Sequence, residues 1–90
     1  MEGTIFNDIR ELVDYDVKTQ KELNERLEKA NNLVKLCLDH HVKKKVLSEV
    51  INVILTLLET ETFKERKIQW CYMWFSLLRK SYNKSYFENK

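Results

Sequence analysis

Ninety residues with a net charge of +2, 43% hydrophobic and 33% charged, make one small globular domain rather than a disordered chain. A chain this size buries roughly 60 to 65% of its unfolded surface, enough for a single core. Proline is absent, glycine occurs only at Gly3 and alanine only at Ala30. A β-rich fold would need tight turns built on such residues, so the chain is expected to be all-α.

Along the first third, apolar positions follow a 3,4 spacing: Phe6, Ile9, Val13, Asp16, Gln20, Leu23, Leu27, Ala30, Val34 and Cys37, with the two polar exceptions together in the middle. One continuous helix over residues 4–38 satisfies this pattern, with a polar patch of the kind that fixes register in paired helices. Two helices over about 4–14 and 19–38 satisfy it as well. Thr19-Gln20-Lys21-Glu22 has the spacing of a capping box, in which hydroxyl and carboxylate reciprocally satisfy first-turn amides. The weakly helical "DYDVKT" favours the break.

A third helix is predicted over about 41–59. Lys45, Glu49, Asn52, Thr56 and Glu59 form a polar line spaced 4,3,4,3, opposite Val42, Val46, Val50, Ile51, Ile54, Leu55 and Leu58. "VINVIL" has strong β-propensity, but a half-buried strand would alternate by two.

The last helix is predicted over about 62–83, opened by a second capping-box spacing, Thr62 to Glu65. Glu65, Gln69, Tyr72, Ser76 and Lys80 lie on one side. Ile68, Trp70, Cys71, Met73, Trp74, Phe75, Leu77, Leu78 and Tyr82 fill most of the remaining circumference, the pattern of a helix buried on most sides. Short connections near 39–41 and 60–61 imply antiparallel neighbours. The expected fold is a compact antiparallel bundle of three or four helices in one domain, 1–90.

Charge is distributed unevenly. Residues 1–30 carry eight acids against five bases, residues 31–63 balance, and residues 64–90 carry seven bases against two acids. The last segment can therefore steer toward an acidic partner. No run approaches the roughly 18 to 20 apolar residues that span a bilayer, and the N-terminus lacks the basic-then-apolar order of a secretion signal. Cys37 and Cys71 are too few for a disulfide framework, so reduced thiols in an intracellular protein, cytoplasmic or nuclear, are expected. Abundant Phe, Tyr, Met, Ile, Asn and Lys with scarce Gly, Ala, Arg and Pro fit A+T-rich codons, as in a low-G+C bacterium, its phage, a large DNA virus or an A+T-rich eukaryote, which adds some weight to a small viral or phage-encoded binding protein.

Chemistry-bearing patterns are few. Cys37 and His41 lie one turn apart, with His40 beside them and Cys71 as a third ligand from another helix, but the paired spacings of a structural zinc site are missing. No metal or cofactor is expected. Neighbouring acids, Asp14 with Asp16 and Glu59 with Glu61, fall at helix ends, where capping and solubility account for them. No phosphate loop, nucleophile elbow or HExxH occurs, so the chain is expected not to be an enzyme. A membrane-surface helix would use Trp70, Trp74 and Phe75 between basic flanks, yet these aromatics spread around the helix. Nucleic acid is the alternative partner, with Lys64, Arg66, Lys67, Arg79, Lys80, Lys84 and Lys90 on phosphates and Tyr82, Tyr86 and Phe87 stacking on bases.

The leading expectation is a protein–protein interaction module, self-associating, acting as an adaptor or a small inhibitor. Its anchors are Trp70, Trp74, Phe75 and Tyr82, with Arg79 and Lys80 as a basic rim.

Overall fold

A computed structural model describes residues 2–14 and 17–83. They form four helices: α1 (Glu2–Asp14), α2 (Gln20–Asp39), α3 (Lys44–Thr60) and α4 (Lys64–Ser81). The chain thus takes the two-helix reading of its first third. The Thr19 hydroxyl accepts the Glu22 amide at 3.1 Å, and the Glu22 carboxylate accepts the Thr19 amide at 3.1 Å and the Lys18 amide at 3.2 Å. This is the capping box expected from the sequence. Asp16 lies outside the described residues.

Because α1 and α2 are separate helices, one apolar seam need not run through both. Ile5 and Leu12 enter the core with Ile9 half-buried, whereas Phe6 and Val13 of the expected seam are exposed. In α2 the seam holds from Ala30 through Val34 to Cys37, joined by Leu33. The polar line of α3 is exposed throughout. Its opposite side buries Val46, Val50 and Ile54, with Leu47 and Leu57 beside them and Val42 inserted from the preceding connection.

The start of α4 differs from expectation. No Thr62 capping box forms, and the helix begins two residues later, behind Phe63. Glu61 takes over the role. Its Oε2 accepts the amides of Thr62 (3.2 Å) and Phe63 (3.1 Å) and Nε of Arg66 (3.1 Å), while Oε1 accepts the indole N–H of Trp70 at 2.9 Å. A buried carboxylate with four donors is a stronger acceptor than a threonine hydroxyl. Arg66 extends the cluster to α2 by donating to Oδ1 of Asn24 at 3.1 Å, and its guanidinium lies 4.7 Å from the centre of the Phe63 ring.

The α3–α4 corner is thereby tied to α2. α4 packs chiefly on α3 and next on α2, α1 packs on α2 and α3, and the contact between α2 and α3 is slight. α1 and α4 therefore occupy opposite corners of the bundle. The Cα envelope measures 43 × 25 × 17 Å, two helices thick at the usual 8–10 Å helix spacing. Every helix keeps one outward face.

Burial alone would raise the Glu61 carboxyl, but the bonds from Trp70, Phe63 and Arg66 together with the guanidinium charge outweigh it and hold the group below its ordinary value of 4.5. A lowered folded pKa means the stabilisation is complete above the unfolded value and is lost as pH falls through the folded one. Acid titration of the wild type, followed by circular dichroism, should therefore show stability declining from about pH 4.5 downward. Glu61→Ala leaves Arg66 buried without its counter-ion. It should cost about 3–5 kcal/mol at neutral pH and flatten the acid dependence; a variant as stable as wild type at pH 7 would contradict this role.

Candidate functional site

Within α4 two stripes repeat with the same 4,3,4 spacing. Arg66, Trp70, Met73 and Leu77 face the core. Ile68, Tyr72, Phe75 and Arg79, displaced by two residues and so about 200° around the helix, face outward. The Glu61–Trp70 bond fixes which stripe goes inside. A Trp indole satisfies its N–H when buried by finding an acceptor, and here a carboxylate supplies it.

The six residues expected to form the binding surface are consequently divided. Trp70 is fully enclosed and cannot touch a partner. The aromatic anchor at this position is a core residue, which also removes it from a membrane-facing set with Trp74 and Phe75. Trp74 is half-buried against the core, and its ring centre lies 5.6 Å from that of Phe75. Its indole N–H is buried without a partner among the described residues. Phe75 is 62% exposed, Tyr82 is 79% exposed, and Arg79 is exposed.

Lys80 is not a rim residue. Its ammonium crosses to the end of α2 and donates to the carbonyls of Cys37, Leu38 (3.3 Å) and His40 (2.6 Å). The last carbonyls of a helix lack intrahelical donors, and α2 carries no base in its own last turn. α4 supplies the missing cation. Desolvation pulls the Lys80 ammonium below its ordinary value, while Cys37 and Asp39 act in the opposite direction.

Arg66 and Lys80 are thus both engaged within the fold, which withdraws two of the seven bases assigned to nucleic acid. Lys84, Lys90, Tyr86 and Phe87 lie outside the described residues. Burial pushes the Cys37 thiol up to about 11, against the pull of Lys80, while His40 and His41 are exposed. Among the described residues no three His, Cys, Asp or Glu side chains gather as a metal site. No described helix is long and apolar enough to cross a membrane.

What remains outward on α4 is an apolar groove of about 300 Å³ lined by Lys64, Lys67, Ile68, Cys71, Tyr72 and Phe75, all from this one helix. Tyr72 is 69% exposed and Ile68 46%. A larger groove of about 570 Å³ runs between α2 and α4 past Asn24, Phe63 and Arg66, but its one cationic side chain is already held by Glu61 and Asn24. Ile68, Cys71 and Tyr72 were not among the expected site residues. The signal for Ile68 and Tyr72 was the second 4,3,4 stripe, visible once Trp70 is assigned to the core; Cys71 lies beside it. No protein-family model, curated protein or solved structure matches this chain.

Adjacent basic residues should behave differently on substitution. Lys80→Met removes a charged donor from three carbonyls and should destabilise the fold by about 1.5–3 kcal/mol. Arg79→Ala, measured at a protein concentration too low for self-association, should stay within about 0.5 kcal/mol of wild type. Urea denaturation of the two variants side by side checks this, and equal effects would contradict the assignment of Lys80 to the helix end.

Proposed function

We propose that this protein is a non-enzymatic protein–protein interaction module whose docking surface is the outward face of α4, working as an adaptor or as a small inhibitor of its partner. The observation that carries this reading is the apolar run Ile68, Cys71, Tyr72 and Phe75, left uncovered on a helix whose opposite stripe already completes the core. A contiguous exposed apolar patch on a small domain marks an interaction site. Aromatic residues at its centre with Arg at its edge match the composition of interface hot spots. Phe75 and Tyr72 replace Trp70 as the anchors, with Arg79, Lys64 and Lys67 as the rim.

Two unpaired cysteines, one of them buried, support a reducing intracellular setting. The nucleic-acid alternative would now rest on Lys64, Lys67 and Arg79 within the described segment, a small footprint beside an apolar groove.

The test exploits exposure. At a protein concentration too low for self-association, Phe75→Ala should leave the unfolding midpoint nearly unchanged, because the side chain contributes little to the core, and it should weaken association with the partner by about 2 kcal/mol or more. Binding that survives both Phe75→Ala and Tyr72→Ala in folded protein would place the docking surface elsewhere. Binding of nucleic acid that falls steeply with salt would favour the alternative.

A further inference from the structure

The outward face of α4 has an internal symmetry that identifies its occupant. Lys64, Ile68, Cys71, Phe75, Leu78 and Tyr82 are spaced 4,3,4,3,4, the a and d positions of a heptad seam on the side of the helix away from the core. One flank of this seam carries Glu65, Tyr72 and Arg79. All three are exposed, and Glu65 and Arg79 make no ion pair among the described residues. They stand seven residues to either side of Tyr72, about 10.5 Å each way at 1.5 Å per residue.

We propose that the outward face of α4 pairs with the same face of a second copy, antiparallel, about a two-fold axis passing beside Tyr72. This rests on the docking role argued above and names its partner. A two-fold axis at that point brings Glu65 of each chain to Arg79 of the other, giving two equivalent ion pairs, and sets the two Tyr72 rings against each other. Along the seam Ile68 meets Leu78 and Cys71 meets Phe75, each layer occurring twice.

At either end Lys64 meets the ring of Tyr82, a geometry suited to a cation–π contact. Lys67 on the other flank meets Ser81, so no base faces a base. A parallel pairing would instead stack Lys64 on Lys64 and leave Glu65 and Arg79 apart. Antiparallel is the register in which every charge on this face has an opposite or neutral counterpart.

Residue placement within the monomer makes this face available. Glu61 displaces the expected capping box at the start of α4, and so Glu65 is released to the outer flank instead of folding back on Thr62. Lys80, next to Arg79, is turned inward to α2, which keeps a second positive charge off the seam.

The experiment is sedimentation equilibrium over a hundredfold concentration range on wild type, Arg79→Glu, Glu65→Arg, the double variant Glu65→Arg/Arg79→Glu, and an equimolar mixture of the two single variants. Circular dichroism on each establishes that it is folded. Each single variant creates two like-charge contacts across the axis and should weaken the dimer about tenfold or more. The double variant restores both pairs in reversed sense and should recover the wild-type constant to within a few-fold. The mixture should form the heterodimer preferentially, since one chain then offers two acids and the other two bases.

A wild type that stays monomeric throughout overturns the proposal. So does a dimer whose affinity is unchanged in both single variants, which would put self-association on another face. Neither result touches the docking reading by itself. A monomeric wild type whose capture of a different protein is lost in Phe75→Ala would retain the surface and replace its occupant.

Discussion

Everything on the outside of α4 depends on where the Glu61 carboxylate is placed. It sits buried at the α3–α4 corner, takes two backbone amides and two side-chain donors, and fixes both where α4 starts and how α4 is turned. The bond to Trp70 is the rotational part of that constraint. A helix with apolar residues on most of its circumference could bury either of two stripes at comparable hydrophobic gain, since both contain large side chains. What distinguishes them is polar: Trp70 has an N–H and Arg66 a charge that must find acceptors once buried, and Glu61 provides both. The outward stripe has no such requirement, because Ile68 and Phe75 are wholly apolar and the Tyr72 hydroxyl and Arg79 guanidinium are left in water.

The same principle explains the uneven fate of the basic residues. Seven bases in the last 27 residues resemble a single electrostatic surface when read as a string. In the fold Arg66 neutralises Glu61 and Lys80 closes the end of α2, so two of these charges are internal and hold helices together. Both interactions bring α2 and α4 into register from opposite ends of α4, through Asn24 and Arg66 near one end and through Lys80 and the carbonyls of Cys37, Leu38 and His40 near the other. Apolar contact between two helices tolerates sliding and rotation. Directional bonds at both ends do not, which is how a small core acquires a single arrangement.

How much of this was legible in the sequence follows from which forces are local. The Thr19 capping box was readable because all of its atoms belong to four consecutive residues. The polar line of α3 was readable because solvent exposure imposes a period directly. The Thr62 capping box had the same sequence signature and failed, because Glu61 takes the Thr62 amide that Glu65 would have accepted and is held in place by Trp70 nine residues on and by Arg66, which itself reaches Asn24 of α2. Phe6 and Val13 shared one 3,4-spaced pattern with the apolar residues of α2, but the break between the helices resets the phase, so that Ile5 and Leu12 are buried in their place. Trp70 and Phe75 could not be ranked by hydrophobicity at all. Their separation into core and surface is decided by an acceptor outside the helix, and a helical period contains no information about that.

The symmetry of the outer face bears on how an exposed apolar helix is tolerated. A ridge that could pair with any apolar surface is an aggregation hazard, and a heterologous contact between two different patches can propagate without limit. A face complementary to itself about one axis behaves otherwise, since the second copy consumes the whole ridge and leaves nothing to recruit a third. In the proposed pairing Glu65 and Arg79 would supply the discrimination, because a copy displaced by a turn or reversed in direction would lose both ion pairs while still covering apolar area. The acid-rich α1 stands at the opposite corner, so the proposed pairing through α4 would leave its exposed Phe6 and Val13 uncovered. In the proposed dimer, closure at two would follow from the order of residues along α4: an acid and a base equidistant from one tyrosine, on the flank of an apolar seam.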